Sequence, residues 1–206
     1  MSAIPMPRDA SPWRLAVAQE AGKWVGKVGG INQVSPGNWE LFGWETLVRI
    51  YKEGGESATT IVSAWSPQVE RGIREGHWIR KAATGNNIFT DVDHEGVAWC
   101  GIFAAWVLKN AGFSTYWGDR KFKWRNNDLE LRVPGDAPRD WPEQIQTGDV
   151  CVLGSHQHHV IIIDAQPGQK NVDTVEGNIP YPKRHSIVFR QRAKAEFHTW
   201  YQLSDL

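Results

Sequence analysis

The sequence predicts an α+β domain, with helices packed on one face of a C-terminal antiparallel sheet. Two observations carry this. Apolar residues recur at helical spacing in several stretches up to Gly112, whereas short β-branched runs separated by turn residues fill the chain from Gly148 onward. Helices first and strands after, with no helical pattern between the strands, excludes the alternation that builds parallel sheets. The length of 206 residues, 41% of them hydrophobic, suits a single domain with a substantial core.

Taken in order, Ser11-Pro12 is a helix-start signature. Trp13, Val17, Ala21, Trp24 and Val28 follow at helical spacing until Gly29-Gly30. After a loop through Ser35-Pro36-Gly37, Asn38 is expected to cap a second helix with Trp44, Leu47, Val48 and Tyr51 on its inner face. Ser66-Pro67 opens a third helical stretch reaching Lys81, and the polar residues 83–96 read as a loop. Next comes a nearly all-apolar segment, Val97 to Gly112. Cys100, Phe103, Ala104, Val107 and Ala111 form one stripe of it, with Gly112 placed for a left-handed cap. Residues 113–148, with Trp117, Trp124 and Trp141, show no period and read as a surface excursion. Strands are expected over 149–153, 159–164, 172–178, 186–190 and 197–203, arranged as an antiparallel meander.

Composition excludes several roles. Acidic and basic residues balance at 23 each, so no global field draws the chain to nucleic acid. No apolar run approaches the roughly 20 residues of a membrane span. The N-terminal residues lack a signal-peptide pattern, which implies synthesis in the cytoplasm, and two cysteines make no disulfide framework.

Cys100 falls in the first turn of its helix, where unpaired N–H groups and the dipole favour a thiolate. A buried cysteine acting as a small hydrophobe is the bland alternative. A thiolate nucleophile needs a base, and His156, His158 and His159 cluster at the mouth of a strand. His159 is favoured because it is anchored at the strand start. An orienting partner comes from the next strand, where Glu176 and Asn178 are two residues apart and share a face. A hairpin centred on Pro167-Gly168 sets His159 opposite Glu176, and one centred on Gly168-Gln169 sets it opposite Asn178. Glu176 is preferred, since a carboxylate also stabilises an imidazolium.

Four blocks then occur in order: Trp99-Cys100-Gly101-Ile102-Phe103-Ala104-Ala105-Trp106, Gly148-Asp149-Val150-Cys151-Val152, His159-Val160-Ile161-Ile162 and Val175-Glu176-Gly177-Asn178. Together they resemble the CHAP family, the cysteine, histidine-dependent amidohydrolases/peptidases of the papain-like clan, close to NlpC-type cell-wall peptidases. The resemblance implies a papain-like fold in one domain spanning 1–206, with 1–96 as a helical extension and 97–206 as the catalytic core. It implies Cys100 as nucleophile, His159 as base, and Glu176 or Asn178 as the orienting residue. The implied substrate is peptidoglycan, cut as an N-acetylmuramoyl-L-alanine amidase or a stem-peptide endopeptidase, with no metal or organic cofactor. Trp99, Trp117 and Trp141 are the candidate substrate-binding residues. Without a signal peptide, the protein would reach the cell wall after release or by non-classical export. An immunity protein or delivery machinery would be its partner if it is a secreted effector. Two rivals remain: a metal-dependent hydrolase built on the histidine cluster with Cys151, and a non-catalytic, Trp-rich peptidoglycan-binding module.

Overall fold

The computed structural model describes residues 10–55, 67–75, 78–81, 87–90, 99–118, 121–124, 129–132, 141–154, 158–179 and 186–203. In chain order these form α1 (Pro12–Lys23), β1 (Ile31–Ser35), β2 (Asn38–Leu41), α2 (Trp44–Gly54), α3 (Pro67–Arg74), β3 (Trp78–Lys81), β4 (Asn87–Thr90) and α4 (Cys100–Asn110). Then follow β5 (Thr115–Gly118), β6 (Lys121–Trp124), β7 (Leu129–Arg132), a 3-10 turn at Trp141–Gln144, β8 (Val150–Leu153), β9 (His158–Asp164), β10 (Asn171–Ile179), β11 (Ser186–Ala193), a second 3-10 turn at Lys194–Glu196 and β12 (Phe197–Leu203).

The sheet has six strands in the order β11-β10-β9-β8-β12-β7, every neighbour antiparallel. Strands β8 to β11 make the expected meander. β12 does not extend it: it crosses back to pair with β8, and β7, from within the supposed excursion, pairs outside β12. One face of the sheet presents Val150, Ile161, Ile163, Val175, Ile187 and Leu203 to a core shared with α1, α2 and α4. Alternation along the strands sends Cys151, Val160, Ile162, Val172 and Trp200 to a second cluster.

Helix α4 is central because it is apolar all round: every side chain from Cys100 to Leu108 is buried. Helices α1 and α2 pack directly on it, through Val17, Ala18, Ala21, Leu47, Ile50 and Tyr51. The described residues of 1–96 include the hairpins β1–β2 and β3–β4 beside the helices α1, α2 and α3.

The other departures from expectation have local causes. Helix α1 stops at Lys23 because the backbone beyond it is committed elsewhere: Gly26 N–H donates to Ile187 O and Val28 O accepts from Ile187 N–H. Its buried face is Arg14, Val17, Ala18 and Ala21, which leaves Trp13 about half exposed at 49%. Asn38 begins a strand, because Ser35-Pro36-Gly37 is the turn of the β1–β2 hairpin. The cap of α2 is Gly43, at φ 75°, where a Cβ would come within 1.9 Å of Lys27 O. Helix α3 ends at Arg74, and Trp78–Lys81 pairs with Asn87–Thr90 instead of continuing it.

Helix α1 is tied to the sheet by a buried ion pair. Arg14 Nη1 donates to Asp149 Oδ1 at 2.7 Å and to Thr147 O at 3.0 Å, while Nη2 donates to Leu203 O at 2.5 Å. Asp149 also accepts from the backbone N–H of Gln146 and of Leu203, both at 3.0 Å. Burial pushes this carboxyl up to about 6 against the opposing pull of Arg14 and the backbone donors.

Candidate active site

Cys100 is the first residue of α4, after Trp99 at the N-cap position. Its thiol therefore lies among first-turn amides that have no acceptor within the helix. Two consecutive histidines of β9 approach it. His159 stands on the helix-facing side of the sheet, with Nδ1 at 3.9 Å from Cys100 Sγ. Its ring is walled by Trp117, edge-on at 5.2 Å between centroids, and by the stacked rings of Phe122 and Tyr201 at 6.4 and 6.2 Å. His158 occupies the first position of β9, where the sheet ends. From there its Nε2 lies 3.2 Å from Glu176 Oε2.

Glu176 is completely buried and held by several donors. Oε1 accepts from Arg192 Nε at 2.7 Å and from Thr174 Oγ1 at 2.9 Å, and Oε2 accepts from Arg192 Nη2 at 2.8 Å. The guanidinium thus grips the carboxylate with two parallel bonds, the strongest geometry for this pair.

Charge is set by these contacts. Burial raises the Cys100 thiol, but hydrogen bonds and charge from His158 and His159 outweigh it and bring Cys100 down to about 5. Burial disfavours charge on His158, yet Cys100 and Glu176 lift it to about 9. For Glu176 burial is again outweighed, here by Arg192 and His158, which hold it at about 2. A thiolate–imidazolium pair is accordingly the stable form between about pH 5 and about pH 9.

Neither expected hairpin register reaches the site: the one that would set His159 opposite Asn178 holds at Asp173–Asp164 and is then lost. Glu176 stands opposite Val160, because an irregularity between Asp173 and Thr174 shifts the pairing from the Asp173–Asp164 register. Val160 and, two residues away, His158 share the face of Glu176, so Glu176 meets His158 and not His159. Asn178 also departs from expectation. It sits at φ 62° in the irregularity between Glu176 and Ile179, where strict alternation fails, and it bonds neither histidine among the described residues.

The candidate tryptophans separate. Trp99 is fully buried, edge-on to Phe103 and against Gly177, so it is a core residue and not a substrate contact. Trp117 is half-buried beside His159 and lies over the helix start, where a Cβ on Gly101 would fall 2.0 Å from its Cζ3. Trp141 opens a 3-10 turn, and its side chain, like that of Trp124 and the whole of His156, lies outside the described residues. Cys151 belongs to the second cluster, where burial pushes its thiol upward, and among the described residues no group of three or more His, Cys, Asp or Glu is placed to hold a metal. Sequence reasoning set His158 aside in favour of His159 and missed Arg192. The signal for Arg192 was available: Val188, paired with Glu176, is followed at the strand period by Arg190 and Arg192.

Gly101 is a test of this packing. Gly101→Ala is expected to push the Trp117 ring off the helix start, costing about 1–3 kcal/mol as overpacking does. Urea denaturation together with the Cys100 alkylation rate would detect it. An unchanged denaturation midpoint would show that Trp117 is not held there.

A low-pKa thiol at a helix start, with imidazole in contact and an anchored carboxylate behind it, is an arrangement suited to thiolate attack on an electrophilic carbon. Comparison with known protein families, curated proteins and solved structures finds no match for the chain.

Proposed function

We propose that the protein is a cysteine amidohydrolase or peptidase with a papain-like arrangement, cleaving amide bonds of peptidoglycan. The observation that carries the chemistry is the Cys100 thiol, on the first residue of a buried helix and 3.9 Å from His159 Nδ1. The substrate class rests on the resemblance of the four sequence blocks to CHAP-type cell-wall enzymes.

In this mechanism the Cys100 proton passes to an imidazole of the histidine pair, and Sγ attacks the amide carbonyl carbon. The backbone N–H of Cys100 donates to the oxyanion that develops. The imidazolium returns its proton to the departing amine as the C–N bond breaks, leaving a thioester. Water, deprotonated by the same imidazole, hydrolyses the thioester and restores the thiol. Residues 1–206 need no metal or organic cofactor for these steps. Trp117, over Gly101 and beside His159, is taken as the aromatic side chain that contacts substrate. Action on the cell wall would come after release or non-classical export, with an immunity protein as partner if the protein is a delivered effector.

Purified peptidoglycan incubated with the protein should release soluble fragments whose masses identify the bond. A new muropeptide amine within the stem marks an endopeptidase, and free stem peptide marks an N-acetylmuramoyl-L-alanine amidase. Sedimentation with peptidoglycan and no fragment at any pH from 5 to 9 would replace the hydrolase with the binding-module reading.

A further inference from the structure

We propose that Trp117 is the positioning residue of the site: its indole, and not a carboxylate or an amide, holds the His159 imidazole toward Cys100. The inference rests on Cys100 and His159 being the reacting pair of the function proposed above. An imidazole that exchanges a proton with a thiol needs its ring fixed, commonly by a polar group on the far nitrogen. Among the described residues His159 has no such group. Glu176, opposite Val160, lies with His158 on the other face of the sheet, and Asn178 bonds neither histidine. Apart from Cys100 Sγ, 3.9 Å from Nδ1, the side chains that meet the His159 ring among the described residues are those of Trp117, Phe122 and Tyr201.

These three rings are not equivalent. Phe122 and Tyr201 stand together, 5.0 Å apart, on one side of the imidazole and nearly parallel to it, at 16° and 23°. Trp117 is nearer, at 5.2 Å, and perpendicular at 88°, a T-shaped contact that aromatic pairs favour. It is also fixed from several directions. The six-membered ring of its indole lies against Gly101, where a Cβ would fall 2.0 Å from Cζ3 and 2.5 Å from Cη2. The residue after the nucleophile must therefore lack a side chain to admit it. The Trp117 backbone bridges Gly55, just beyond α2, and pairs with Phe122 across the β5–β6 hairpin. At the start of the same strand, Thr115 Oγ1 donates to Ala105 O of α4 at 3.0 Å. The indole is thus anchored to the helix that carries the thiol, and it meets the imidazole carried by β9. Rigid neighbours of this kind hold a reacting pair within the fraction of an ångström that its chemistry needs. The titratable groups around the pair are Tyr51 of α2, Tyr201 of β12 and, next along β9, His158. Tyr116 and Lys123, the neighbouring pair of the hairpin, alternate to its other face.

The test follows iodoacetamide alkylation of Cys100 in the full chain by peptide mass across pH, and needs no peptidoglycan. Each variant is read against its own plateau at high pH. An imidazolium held beside Sγ favours the thiolate, and one free to turn favours it less. In the wild type the rate should switch on near pH 5. Trp117→Leu, which removes the ring, should move that switch upward by about one pH unit, or about tenfold in rate on its acid side. Trp117→Phe should recover most of the shift, because a flat ring still stands across the imidazole. Gly101→Ala, which dislodges the indole without altering it, should move the switch in the same direction as Trp117→Leu. An unmoved switch in Trp117→Leu or in Gly101→Ala overturns the assignment, as does a Trp117→Phe switch no lower than that of Trp117→Leu. A rate raised at every pH with the switch in place would make the indole a mere cover over the thiol, and overturns it too. Should the variants fail to fold, the wild type decides by NMR. A nuclear Overhauser contact between the Trp117 indole and the His159 ring on both sides of the switch supports the role, and its loss on either side overturns it. A displaced switch with peptidoglycan left uncut would remove the hydrolase reading and leave Trp117 in this role.

Discussion

Cys100→Ala is expected to abolish hydrolysis of peptidoglycan, lowering the rate on the order of 10^4-fold or more, because no other group can form the covalent intermediate. Stability should change little. The side chain lost is small and sits at a helix end, and His158 keeps the Glu176 carboxylate as a counter-charge. Cys151→Ser is the control. That thiol is buried in the second cluster with its pKa pushed upward, so it is protonated and inert at neutral pH. Iodoacetamide should inactivate the wild type in proportion to Cys100 modified, and a chelator should leave activity unchanged. Activity surviving in Cys100→Ala but lost to the chelator and restored by zinc would move the chemistry to the histidine cluster. Activity should also track the ion pair, falling below about pH 5 as the thiolate protonates and above about pH 9 as the imidazolium loses its proton.

Arg14→Met should be the most damaging single change to the fold. It leaves Asp149 buried without its cation, a loss of about 3–5 kcal/mol for a broken buried pair. For a chain of this size that is roughly 10 °C in Tm. The sign with pH is set by the carboxyl, whose folded value is already raised by burial and would rise further without Arg14. A group raised in the folded state stabilises at low pH and loses that contribution as pH rises. The deficit of Arg14→Met should therefore be larger at pH 8 than at pH 5. Asp149→Asn, which leaves Arg14 buried and unpaired, should destabilise at both. Thermal melts at the two pH values measure this, and equal deficits would show that Asp149 is not desolvated as described. A loss under about 1 kcal/mol, far below the cost of a broken buried pair, would show that α1 is not held by this contact.

The elements that could be read from residues alone are those whose own periodicity or apolar content determines them. Helix α4 from Cys100, with every side chain through Leu108 apolar or glycine, can lower its free energy only by burial on all sides, whatever surrounds it. The β-branched runs of β8 to β11 likewise dictate strands, and the short turn between β9 and β10 makes them antiparallel neighbours. This much places a cysteine at a helix start beside a histidine strand. The rest of the architecture depended on contacts between distant segments. The N-terminal hairpin β1–β2 moved the start of the second helix from Asn38 to Trp44, because backbone pairing across Pro36-Gly37 outweighed a capping signal at Asn38. β12 left the meander because its backbone groups are satisfied against β8 and β7. In the site itself, one irregularity at Asp173–Thr174 turned Glu176 away from His159 and toward His158 and Arg192. The residue types of the site were legible because chemistry restricts which side chains can serve. Which of two adjacent histidines receives the carboxylate was decided by tertiary structure, since a slip of one residue in a strand exchanges its faces while leaving its sequence unchanged.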